Sequence, residues 1–117
     1  VGFTVWDHSD RRTIYLLNTD WASDQDQRPA TFIYKGKKFP VVVRRYHIET
    51  IHCADGLAVM PASNTTDILS VCKKENGWVV KVQTTGNDVV QCMNAVTGKV
   101  EPIKFDEPGV HEVFVNE

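Results

Sequence analysis

The chain has 117 residues, of which 42% are hydrophobic and 24% charged, with a formal net charge of -2. That length suits one domain, that composition excludes a disordered or low-complexity chain, and the weak negative charge supplies no field to draw in nucleic acid. Apolar runs such as Ile14 to Leu17 and Phe39 to Val43 fall far short of a membrane-spanning helix.

Val, Ile and Thr together number 33, against 10 for Leu and Ala. Side chains branched at Cβ lose rotamer freedom in a helix but pack well on a pleated surface, so the composition favours strands throughout. In chain order, strands are expected at 3–6, 13–18, 30–35, 39–44, 46–52, 57–60, 67–73, 78–84, 89–93, 99–105 and 110–115. The clearest alternation runs through Trp78-Val79-Val80-Lys81-Val82-Gln83, which sets Trp78, Val80 and Val82 on a core face. Val110 to Val115 alternates as well, with His111, Val113 and Val115 opposing Val110, Glu112 and Phe114. Turns are marked by Lys35-Gly36, by Asn76-Gly77 as a type I′ signal, by Gly86-Asn87-Asp88 and by Thr97-Gly98. Many short strands joined by tight turns predict an all-β fold: an antiparallel β-sandwich, immunoglobulin-like or Greek-key, of about 8 to 11 strands. Trp78, Phe32, Phe105 and Phe114 are expected in the core.

The long polar stretch Thr19 to Pro29 is where a functional surface is expected, since long irregular loops in compact domains carry function. Trp21 beside Asp20 and near Arg28 suits an exposed platform for stacking on a sugar ring, with flanking polar groups for hydroxyls. Trp6 and Tyr46 stand behind it as further aromatic candidates. The competing reading is a tryptophan that plugs the sandwich or docks on a neighbouring domain. Asp20, Asp24 and Asp26 offer oxygen ligands for calcium but lack the EF-hand glycine and terminal Glu, so a solvated loop explains them more simply.

His47 and His52, five residues apart, face opposite sides of a strand, and His52 and Cys53 diverge as neighbours, so no metal site is expected. Arg44-Arg45-Tyr46-His47 reads as a charged strand edge rather than a nucleic-acid contact. Cys53, Cys72 and Cys92 are expected to be buried and reduced; strands 67–73 and 89–93 are placed on either side of strand 78–84, which sets Cys72 and Cys92 too far apart for a disulfide. Asn64-Thr65-Thr66 matches the glycosylation sequon, a triplet common by chance. No local signature of a hydrolase triad, zinc protease, phosphate loop or dinucleotide fold is present, and no cofactor is expected.

Thr13-Ile14-Tyr15-Leu16-Leu17-Asn18-Thr19-Asp20-Trp21, then Pro29-Ala30-Thr31-Phe32 and Tyr34-Lys35-Gly36-Lys37-Lys38-Phe39-Pro40-Val41, resembles the β-sandwich modules at the C-terminal ends of bacterial polysaccharide-degrading enzymes. Pro108 to Val115 resembles the last strand of such a module. The resemblance implies a single domain over 1–117, cut from a longer secreted or periplasmic chain, as the start at Val1 also suggests. It implies a non-catalytic accessory role: packing against and supporting the catalytic domain of the same parent chain. The alternatives are a carbohydrate-binding module that takes polysaccharide through Trp21, Asp20, Arg28 and Tyr46, and an extracellular adhesion or protein-interaction domain.

Overall fold

The structure, a computed structural model, describes residues 2–17, 27–44, 48–62 and 65–117, without the side chains of residues 27 and 28. The described residues form eleven antiparallel strands: β1 (Gly2–Asp7), β2 (Arg12–Leu17), β3 (Gln27–Tyr34), β4 (Lys37–Arg44), β5 (Ile48–Ala54), β6 (Leu57–Pro61), β7 (Asp67–Lys74), β8 (Gly77–Thr84), β9 (Asp88–Asn94), β10 (Val100–Phe105) and β11 (Gly109–Asn116). Six of them make one large sheet in the order β1-β2-β5-β6-β9-β10. A three-stranded sheet, β11-β8-β7, and the β3-β4 hairpin complete the fold.

Strand parity explains how these pieces stack. On one face of the large sheet, Leu57 and Val59 of β6 and Val90 and Cys92 of β9 meet Ile68 and Val71 of β7 and Trp78, Val80 and Val82 of β8. The intervening residues Ala58, Met60 and Met93 point to the other face, where they join Ile14, Leu16, Ile51 and Cys53 under Phe39, Val41 and Val43 of the hairpin. The large sheet is therefore covered on both sides by covers that are offset from each other. Strand β6, Leu-Ala-Val-Met-Pro, is buried at every position because it lies where both covers overlap. The alternation expected for 78–83 holds, with Trp78, Val80 and Val82 buried.

The β5-β6 turn ties the layers together. Asp55 and Gly56 have φ of 48° and 93°, the left-handed pair of a two-residue type I′ turn, which favours Gly at the second position. The Trp78 indole N–H donates to the Asp55 carbonyl at 3.1 Å from one cover, and the Gly56 amide donates to the Tyr34 phenol oxygen at 3.1 Å on the other. Ala95 adds a bond to the Gly56 carbonyl at 2.8 Å.

Three expectations need correction. Asn76-Gly77 is not a type I′ turn: Glu75 and Asn76 form the turn, neither has positive φ, and Gly77 opens β8 opposite Lys74. Strands β8 and β9 are sequence neighbours but belong to different sheets, so β9 does not flank β8 as a simple meander would place it. The chain crosses between layers there because both strands carry an apolar face and bury it by facing each other rather than by lying side by side. Phe114 is 48% exposed, since β11 turns only Val115 and, in part, Val113 and His111 inward.

Gly77 is required for a close approach. A Cβ there would sit 2.1 Å from the Val115 carbonyl oxygen and 2.9 Å from the Phe114 ring, both on the paired strand β11. Gly77→Ala is expected to lower the unfolding free energy by about 1–3 kcal/mol, read from denaturant titration, because backbone rather than a flexible side chain must yield.

Candidate functional site

Of the residues expected to form a glycan platform, Asp20, Trp21 and Tyr46 lie outside the described residues, as do Asp24, Asp26 and His47. Arg28 is described only as backbone, in β3 opposite Val43. Trp6 is placed on β1 and is 61% exposed. Arg44 ends β4, an edge strand, but is not a freely solvated charge: its guanidinium grips Glu49, Nε to Oε1 at 2.6 Å and Nη2 to Oε2 at 3.3 Å, and also reaches the Ala62 carbonyl at 3.2 Å. Glu49 is only 3% exposed, and a carboxylate so deeply buried needs that partner.

A polar cluster sits where the β1-β2 turn meets β7. Arg11 Nη1 bonds Asp10 at 2.9 Å and 3.1 Å, Arg11 Nη2 donates to the Ile68 carbonyl at 2.8 Å, and Nη1 also reaches the Leu69 carbonyl at 3.3 Å. Asp10 accepts the Val71 amide at 3.2 Å. These are the backbone groups around a register shift between Ile68 and Ser70, so the ion pair supplies the partners that the irregular ladder leaves unmet. Burial works against the Asp10 carboxylate, but the Val71 amide and Arg11 outweigh it and hold its pKa below 3.8.

His52 of β5 lies under this clasp. Arg11 Nε donates to His52 Nδ1 at 3.1 Å, and Thr13 Oγ1 lies 3.1 Å from the same nitrogen. Arginine only donates, so Nδ1 is bare and the proton resides on Nε2, which points to Thr50 Oγ1 at 3.3 Å. Burial, reinforced by the Arg11 charge, pushes the His52 pKa down from 6.5 to about 3. The ring is a fixed neutral hydrogen-bonding element, not a proton shuttle.

Beyond the clasp, the three-stranded cover stops short and leaves a cleft of about 430 Å³ against the large sheet. Tyr15, Ile48, Thr50 and His52 line it from the large sheet, Thr66, Asp67 and Ile68 from the start of β7, and His8 and Arg11 from the β1-β2 turn. Thr66 is 4% exposed and its hydroxyl has no hydrogen-bond partner.

On the opposite face, the hairpin stops short in turn. A groove of about 550 Å³ runs between Phe3, Val5, Ile14 and Leu16 and the hairpin residues Ala30, Phe32 and Tyr34. Its β1 side is a sheet edge with no further strand beside it among the described residues. The His8 amide donates to the Arg11 carbonyl at 2.8 Å. Antiparallel alternation from that bond turns the amides of Thr4 and Trp6 toward β2 and those of Phe3, Val5 and Asp7 outward.

The three cysteines are unpaired. Cys53 and Cys92 are buried as expected, and burial pushes each thiol up to about 12. Cys72 is exposed, contrary to expectation, because β7 turns it away from the core that Val71 enters. Among the described residues, no three His, Cys, Asp or Glu side chains are placed to hold a metal ion.

No family model, curated protein or solved structure matches the chain. The likeness to accessory modules of polysaccharide-degrading enzymes therefore stands on the sequence segments alone.

Two outcomes follow from these side chains. Above pH 6.5 His52 is neutral folded or unfolded; below it the unfolded chain takes up a proton that the folded ring refuses until about pH 3. Stability should thus fall as pH drops through that window, by up to about 1.4 kcal/mol per pH unit, and His52→Asn should flatten the slope in pH-dependent denaturant titrations. A thiol reagent should label one cysteine rapidly in the native protein and all three in denaturant, with Cys72→Ser abolishing the native reaction.

Proposed function

We propose that the chain is a non-catalytic β-sandwich module that docks its β1 edge and the adjoining apolar groove on a protein partner. Its preferred partner is the catalytic domain of a secreted or periplasmic glycan-degrading enzyme, as the sequence resemblance implies. The observation that carries the docking reading is the contrast between the two edges of the large sheet. Strand β10 is guarded by Glu101, Pro102 and Lys104, the residues that discourage pairing with another chain. Strand β1 carries none of these from Gly2 to Trp6. It leaves Phe3 70%, Val5 43% and Trp6 61% exposed, with outward amides on the same strand. Exposed apolar side chains on both faces of an unguarded edge suit a strand that is covered in its working state.

Hydrogen exchange tests this reading. The amides of Phe3, Val5 and Asp7 should exchange fast in the isolated 117-residue chain and gain protection in the full-length product of the gene, where Val5→Lys should remove that protection. Unprotected amides in the full-length protein, or protection unaltered by Val5→Lys, would refute docking through this edge.

A further inference from the structure

We infer that the cleft between Tyr15, Thr50 and the start of β7 is a binding site for a neutral polyhydroxylated ligand, of the chemical class of a single saccharide ring. The inference is independent of the docking reading, because Tyr15 and Thr50 project from the face of β2 and β5 opposite the groove that contains Ile14 and Leu16.

The cleft, at about 430 Å³, falls within the range of small-molecule sites, roughly 300–1,000 Å³. Its hydrogen-bonding capacity is unspent. A buried hydroxyl without a partner is costly, and Thr66 carries one at the cleft wall. The Tyr15 phenol and the Asp67 carboxylate line the same cleft and make no side-chain hydrogen bond among the described residues. Thr50 accepts from His52 Nε2–H, so its own proton is left to donate. The site thus presents hydroxyl groups that both donate and accept, together with one strong acceptor, which is the pattern that sugar hydroxyls complement.

Charge narrows the class. The Arg11 guanidinium is directed at Asp10, at the Ile68 and Leu69 carbonyls and at His52, and the Asp10 carboxylate offsets its charge. Asp67 repels an anion in addition. His52 remains uncharged because it is buried and its Nδ1 faces the guanidinium. Ile48, 50% exposed, and the Tyr15 ring add apolar surface on which the C–H face of a sugar packs.

The test is an amide-shift titration of the whole chain with glucose, galactose, mannose and xylose, and with glucuronate as an anionic counterpart. Saturable shifts confined to the cleft residues His8, Arg11 and Tyr15 and to residues 48–52 and 66–68 with at least one neutral sugar, and at least tenfold weaker binding of glucuronate, support the site. Thr66→Val should weaken the bound sugar about tenfold, one hydrogen bond's worth, while the unfolding midpoint rises because the orphaned hydroxyl is gone. Asp67→Asn, at an exposed position that does not threaten folding, should weaken it several-fold. Absence of shifts with all four neutral sugars, shifts elsewhere, tighter binding of glucuronate, or unchanged affinity in both variants would overturn the proposal.

Discussion

Burial of the central strands from two sides governs this molecule. Strand β6 needs covers on both faces because its residues are apolar on both, as Leu57, Ala58, Val59 and Met60 show in succession. Two short covers meet that need, a three-stranded sheet on one face and a hairpin on the other. Because each cover is narrower than the large sheet, ledges are left over β2 and β5. The groove and the cleft are those two ledges, on opposite faces of the same strands. Neither is an independent feature added to a finished fold.

The clasp of Asp10 and Arg11 has a different physical role. It crosses from the β1-β2 turn to β7 and binds backbone groups that an irregular ladder would leave unpaired. The same guanidinium fixes the tautomer of His52, which in turn orients Thr50. A chain of directional bonds therefore runs from a structural ion pair to a hydroxyl that lines the cleft. A half-buried arginine paired with a carboxylate in this way rigidifies the cleft wall, and Asp10 offsets its charge.

Parts of this were legible in advance. All eleven strands were readable from β-branched runs and turn residues, with ends displaced by three residues or fewer, because period-two alternation is a local property. The core face of Trp78, Val80 and Val82 was readable for the same reason. The left-handed turn at Asp55-Gly56 also has a local signal, an Asp-Gly pair between apolar runs, whereas Asn76-Gly77 carries the same kind of signal without the turn. Gly77 has another task there, yielding room to the Val115 carbonyl, and nothing local distinguishes a glycine kept for φ from one kept for space. The cleft was not legible at all: Tyr15, Thr50, Thr66 and Asp67 are ordinary strand and turn residues whose meeting depends on where β7 ends above β5.

The amino-acid sequence by itself determined the strand content, the alternation and most of the turns, since each depends on contacts within a few residues. The tertiary structure decided which sheet each strand joins, which edge stays bare, and which thiol reaches solvent. Those outcomes depend on apolar faces finding partners distant in the chain: β8 pairs with β7 and β11 while β9 pairs with β6 and β10, and no local pattern encodes that choice.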